Sequence, residues 1–423
     1  MKERYDQEIS EDFPLSAVPE DHRKGFWSVS IVLLGFVFFT STMWAGGRIG
    51  LSFKLWPDLV LITVLGNLLL GSYVAVLGYI AQRTGMSTVL LGRYAFGDWG
   101  SRWPDLVLGL TQVGWYAWGV AMVSSVFTDL LRIPSDWRIP MMIFFGFAFS
   151  WTAYVGYRGL ELLSIFSVPL MAGLVAMSLA VATRDAGGVS RVLSIEPPSE
   201  MSVPAALTLI FGTFVSGGTQ ATNWTRFSKR SRDAVLSSLL AFFLGNGLMV
   251  FTGAYGALVY SEPDLVNILV KQGLLFWGVV MLFLSTWTTQ DSTIYNFSLA
   301  GCDFFRSDRR RYFTVGGAAI GTLIAILGMY DWLLPWLMIL GKYIPPIGGV
   351  IAADFVARKG IYPPLNEVKE KFNWAGIAGY IAGVLTAEFT PGVPSLNGVI
   401  ISFLVYIAFK KFNTSLSDRR GRL

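Results

Sequence analysis

Gln112 and Trp115 stand three residues apart in a long apolar run, so on a helix they share one face. An amide offers two donors and an acceptor, which suits the mixed hydrogen-bonding edge of a pyrimidine. An indole offers a flat stacking surface, worth about 1–3 kcal/mol per base where proteins bind bases. Tryptophan also serves as an interfacial anchor, but Trp115 lies near the middle of its run, beside Gln112. A second constellation is Ser285, Thr288 and Thr289, which fall at i, i+3 and i+4 and form one stripe of hydroxyls. With the carbonyls of Gly35 and Phe38, also three apart, they would make five neutral oxygens, a hard-donor set for a small alkali cation. The competing role for such hydroxyls is to bond back to carbonyls of their own helix. Two ionisable residues, Asp291 and Lys342, also lie inside apolar runs, where charge is functional by default. Asp291 could tune ion binding or relay a proton, or pair with a backbone amide and only hold its helix in place. Lys342 could snorkel to an interface or a water-filled cleft. Asp354 and Glu388 lie near the ends of apolar runs and are expected to be solvated.

These groups bind; they do not make or break bonds. No DDxxD-like cluster, histidine pair or glycine-rich phosphate loop is present, which argues against a membrane-embedded enzyme and an ATP-driven pump. The chain has one histidine, His22, and one cysteine, Cys302, so an intramolecular disulfide, a cysteine-based metal site and a haem held by paired histidines are all excluded.

The elements that must position these residues are membrane spans. Of 423 residues, 53% are hydrophobic and only 14% charged, with a mean hydropathy of +0.54. Soluble domains carry about 25% charged residues. Apolar runs long enough to cross about 30 Å of hydrocarbon recur from end to end. Twelve spans fit, near 26–47, 57–81, 105–131, 139–157, 161–182, 204–224, 233–260, 274–302, 313–330, 332–357, 373–390 and 395–412, referred to below as spans 1 to 12. Residues 1–25 read as a cytoplasmic N-terminal tail, 26–412 as one transmembrane domain and 413–423 as a cytoplasmic C-terminal tail. The connections are short and leave no room for a soluble domain. Of the 33 Lys and Arg, 25 fall in segments that are cytoplasmic if the N-terminus is inside, and 7 fall in the outer loops. That asymmetry predicts both termini inside, accounts for the net charge of +5, and leaves nothing to suggest a nucleic-acid partner.

Three spans carry interruptions. Span 1 is expected to end at Trp44-Ala45-Gly46-Gly47; span 6 contains Ser216-Gly217-Gly218-Thr219; span 10 contains Ile344-Pro345-Pro346-Ile347-Gly348-Gly349. A helix break in hydrocarbon strands backbone groups unless protein, water or ligand satisfies them. Breaks five spans apart suggest two five-helix repeats of inverted topology, 26–182 and 204–357, with two further helices in 373–412 and the substrate at the repeat interface. Glycines can instead serve close helix packing.

Four motifs in order carry a resemblance: Leu110-Thr111-Gln112-Val113-Gly114-Trp115 in span 3, FxSGGT at Phe214–Thr219, WTT-x-D at Trp287–Asp291, and IPPIGG-V-IAAD at Ile344–Asp354. With Gly66-Asn67-Leu68-Leu69-Leu70-Gly71 in span 2, they make the whole chain similar to bacterial cytosine permeases of the nucleobase:cation symporter family 1. The resemblance implies an all-α fold shared with the leucine transporter, broken helices 1 and 6, and a sodium-coupled symporter for a nucleobase, cytosine first. It implies no enzyme activity, a bacterial inner-membrane location and no obligatory protein partner. It also implies that Trp115 stacks on one face of the base and Phe214 covers the other. Gln112, Ser216, Phe39 and Gln290 complete the substrate contacts, and the five oxygens named above bind Na+. A proton-coupled carrier of another nucleobase or of a hydantoin- or allantoin-like ring is the alternative, with Asp291 as the coupling group. A channel is a further one. The chain departs from the family pattern in having Gln290 where cytosine permeases carry Asn. It departs again in reading Thr222-Asn223-Trp224-Thr225-Arg226-Phe227 where they place an Asp near the Arg-Phe pair.

Overall fold

A helix satisfies its own backbone polar groups, so in hydrocarbon the apolar runs have little choice but to be helical. The computed structural model describes residues 12–130, 132–368 and 370–420. Helices occupy all twelve expected spans, and no strand is present among the described residues. By length and composition alone, seven helices among the described residues can cross a membrane, or eight if the bent pair Phe26–Val37 and Thr40–Gly50 counts as one span. Span 6 (Val203–Thr219) and span 11 (Trp374–Phe389) are shorter, and span 8 (Leu275–Phe305) carries the polar stripe. Among the described residues, three connections hold α-helices that the sequence reading left as loops, Thr88–Phe96, Val189–Leu193 and Leu265–Lys271.

Span 1 breaks at Phe38-Phe39, with a bend of 59° between its halves. This corrects the expected end at Trp44–Gly47, where the helix runs on to Gly50. The glycines there serve packing against span 7 (Ser231–Tyr260). A Cβ added at Gly46 would lie 2.1 Å from the Val250 carbonyl oxygen, and one at Gly50 would lie 2.0 Å from that of Ala254. Span 6 stops at Thr219 and resumes as a single turn, Thr222–Thr225. Span 10 breaks at Ile344, and Pro345 opens its second half, the helix position where a missing N–H costs nothing.

Residues 1–11 of the expected tail lie outside the described residues, but from Asp12 onward the segment is packed into the protein. The Asp12 carboxylate pairs with Arg310 Nε at 2.9 Å and accepts from the Tyr157 N–H at 3.1 Å. Fully buried Arg226 donates to the Asp12 and Phe13 carbonyls at 2.6 and 2.8 Å. At the other terminus, the span 12 helix continues to Arg420, through most of the segment set apart as a tail.

Asp354 is buried rather than solvated. It accepts two bonds from Arg358 Nε, at 2.8 and 3.0 Å, and one from the Tyr406 hydroxyl at 2.5 Å, which ties span 10 to span 12. Lys342, whose role the sequence leaves open, reaches Glu388 of span 11 at 2.9 Å.

Candidate functional site

The two broken spans and spans 3 and 8 enclose a narrow central cavity of about 10 Å³. Its walls are Phe36 and Phe39 from span 1, Gln112 and Trp115 from span 3, Thr213, Phe214, Ser216 and Gly217 from span 6, and Thr289 and Thr293 from span 8. The helix face that places Gln112 beside Trp115 points here, and the Gln112 amide nitrogen lies 3.4 Å from Ser216 Oγ. Five of the six expected substrate contacts are thus brought together. Gln290 is not among the lining residues. Its amide turns into span 3, where Nε2 donates to the Trp115 carbonyl at 3.2 Å, in a slot that Gly119 leaves open. Span 1's opened backbone, the other partner that a structural Gln290 could have had, does not take it.

Aromatic rings set the cavity's shape. Phe214 stands edge-on to Phe36, centroids 5.1 Å apart. Phe39 stands edge-on to Trp115 at 6.1 Å and to Trp118 at 5.9 Å, and these three rings separate the cavity from a larger vestibule. The vestibule has a volume of about 340 Å³, and Thr40, Trp44, Trp118, Tyr330 and Asp331 are among its lining residues. On the opposite face, the Asp12, Arg226 and Arg310 contacts close the bundle. The cavity itself is lined by rings, hydroxyls, one amide and a glycine, with no ionisable side chain among them. Such a lining suits a small, neutral, flat molecule that presents hydrogen-bonding groups at its edge and parts the rings to enter.

The expected ion ligands gather beside it, around the span 1 break. The Phe39 N–H, which would close the next helical turn on Gly35, donates to Val37 instead, and the Thr42 N–H donates to Phe39 rather than Phe38. The carbonyls of Gly35 and Phe38 are thereby released from the regular ladder. Thr289 Oγ donates across to the Phe36 carbonyl at 3.0 Å. Thr288 bonds back to Leu284 and Ser285, and Ser285 to Leu282, as isolated hydroxyls on helices do. Each of these hydroxyls still has lone pairs to offer. The donor set of neutral oxygens therefore remains suited to a small cation. Asp291 faces the other way. Its Oδ2 accepts from Thr152 at 2.9 Å, and its Oδ1 is buried without a hydrogen-bond partner among the described residues.

Sequence reasoning missed Phe36, Thr213 and Thr293, and named Gly217 only as part of the span 6 interruption. Two had a signal: Thr293 extends the span 8 stripe by one turn from Thr289, and Thr213 precedes Ser216 by one turn.

Residues 17–410 match the family described as permease for cytosine/purines, uracil, thiamine, allantoin. The chain is 34% identical over 397 residues to the cytosine permease of Escherichia coli strain K12, covering 94% of this chain and 93% of that one. It is 23% identical over 428 residues to the allantoin permease of Bacillus subtilis strain 168, covering 88% and 87%. Among solved structures, Mhp1, a nucleobase-cation-symport-1 family transporter, superposes in its closed conformation with bromovinylhydantoin bound, with a TM-score of 0.81 at 16% identity over 94% of both chains. A Na+-coupled sialic acid symporter in an outward-open state superposes with a TM-score of 0.62 at 11% identity, covering 96% of this chain and 94% of that one. The likeness to these structures establishes the five-plus-five inverted-repeat fold.

Proposed function

The chain belongs to the family of permeases for cytosine/purines, uracil, thiamine and allantoin, a family of transporters and not of enzymes, and from that premise we propose that it is a sodium-coupled symporter importing a neutral nucleobase, cytosine first. The observation that carries the reading is the uncharged cavity at the meeting of the broken spans. Trp115 and Phe214 supply flat faces, and Gln112 and Ser216 supply an edge that both donates and accepts. The family relationship supports cytosine, since the curated relative at 34% identity is a cytosine permease. Sodium is supported by the released Gly35 and Phe38 carbonyls beside Ser285, Thr288 and Thr289.

The protein sits in the bacterial inner membrane with both termini cytoplasmic, a reading that the Lys and Arg distribution supports. The vestibule then opens outward and the Asp12 contacts close the inner face, so transport proceeds by exchanging which side is sealed. Import of labelled cytosine, uracil, hypoxanthine, allantoin and hydantoin into proteoliposomes, with and without a sodium gradient, tests the proposal. Saturable, sodium-stimulated cytosine uptake is expected. Uptake of none of the five would overturn it.

Proton coupling is the second reading, and the buried, half-partnered Asp291 carboxylate favours it. Uptake driven by a proton gradient without sodium, and lost in Asp291→Asn, would replace the first.

A further inference from the structure

A chain of buried amides behind the cavity decides which way one of its hydroxyls can hydrogen-bond. Its polarity follows from one group that can only accept, the Thr63 backbone carbonyl. Asn67 Nδ2 donates to that carbonyl at 2.8 Å, which turns Asn67 Oδ1 the other way. Asn246 Nδ2 donates to that Oδ1 at 2.8 Å and also to Thr213 Oγ at 3.0 Å. The Thr213 proton is itself committed, at 2.6 Å, to the Ile210 carbonyl. Both asparagines have no exposed surface, and Thr213 lines the cavity. A hydroxyl has one proton and two lone pairs. With the proton and one lone pair engaged, the Thr213 hydroxyl can serve a ligand in the cavity only as an acceptor.

One turn further along span 6, Ser216 differs. It receives the Gln112 amide at 3.4 Å, and among the described residues no carbonyl takes its proton, so it can donate into the cavity. Thr213 and Ser216 lie at i and i+3 on one helix face, with Cβ atoms about 5–6 Å apart. Two substituents flanking one ring nitrogen can bridge that spacing.

We propose that Thr213, set as an acceptor by Asn246 and Asn67, is a specificity-determining residue that selects a ring carrying an amino group beside an oxo group over a ring with two oxo groups. The inference rests on the nucleobase reading above and names the ring class within it. An amino N–H meets the Thr213 lone pair while the oxo group accepts from Ser216. A dioxo ring sets its second carbonyl against a hydroxyl with no proton to give, and a buried acceptor facing an acceptor is left unpaired.

The test measures affinities of cytosine and uracil for the purified parent, Thr213→Val and Thr213→Ser. Valine keeps the shape and removes the lone pair. The fold should tolerate it, because Asn246 keeps its bond to Asn67. The parent is expected to favour cytosine. Thr213→Val should weaken cytosine binding about 5- to 50-fold and leave uracil nearly unchanged, collapsing the preference. Thr213→Ser should restore it. An equal loss for both rings, or no loss for either, overturns the assignment of Thr213 while the nucleobase reading stands. A parent that binds neither ring removes the nucleobase reading and this inference with it.

Discussion

Gln290 stands where the resemblance to cytosine permeases leads one to expect Asn, which invites the view that it tunes the substrate. The geometry gives a different expectation. Its amide nitrogen is 3.2 Å from the Trp115 carbonyl, and a Cβ placed on Gly119 would fall 1.7 Å from that nitrogen. The side chain thus fills a slot in span 3 that exists because residue 119 has no side chain. In Gln290→Asn the amide retracts by one carbon–carbon bond, about 1.5 Å, and passes out of hydrogen-bonding reach. The lost bond costs about 0.5–1.5 kcal/mol and the methylene-sized void a similar amount, so about 1–3 kcal/mol of stability should go. Gly119→Ala should cost about 1–3 kcal/mol by overpacking. The double variant should fare better than the sum, with an interaction of about 0.5–3 kcal/mol, because the shorter amide vacates the space the new methyl needs. Thermal melting of the detergent-purified single and double variants reads the stability cycle, and affinities for the five-compound panel read the site. The ranking of ligands should not change in Gln290→Asn. A reordered ranking, or strictly additive destabilisation, would refute this placement of Gln290.

Trp115→Ala should weaken cytosine binding by about 1–3 kcal/mol, or about 5- to 150-fold, and Trp115→Phe clearly less; equilibrium binding to purified protein checks both. Thr289→Ala removes the hydroxyl that bridges span 8 to the Phe36 carbonyl. It should flatten the rise of cytosine affinity with sodium, seen as overlapping binding curves with and without the ion. Arg310→Met leaves the buried Asp12 carboxylate without its counter-charge and should cost about 3–5 kcal/mol, while Asp12→Ala combined with Arg310→Met should recover most of it, both read as melting temperature.

The spans were legible because lipid imposes one simple rule, and runs of apolar residues report it. The Gln112–Trp115 face was legible because a helix brings residues three apart together wherever it packs. The break in span 1 was misplaced for a physical reason. Phe38 and Phe39 carry no helix-breaking signal, and the Phe36 carbonyl beside the opening is taken by a partner on another span, the Thr289 hydroxyl. The glycines that looked like a break serve backbone contact with Val250 and Ala254, and composition alone does not separate those two uses. Gln290 lies on the same helix as Thr289, yet its direction depends on the rotation of span 8 against span 3 and on the gap at Gly119. Asp354 read as solvated because its partner Tyr406 comes from span 12, and the packed N-terminal segment was invisible because Asp12 finds Arg310 at the far end of the chain. The amide relay behind Thr213 joins three spans, and no spacing within any one of them announces it.

We propose that a neutral nucleobase sits in the cavity between the broken spans, held at its edge by Gln112. Equilibrium binding of labelled cytosine to the purified parent and to Gln112→Leu, which keeps the bulk and removes the amide, tests it most directly. Saturable binding by the parent and a loss of about 10-fold or more in the variant are expected, since the amide's bonds to the ring vanish and buried polar groups are left unpaired. Undiminished cytosine binding by a folded Gln112→Leu protein would contradict it.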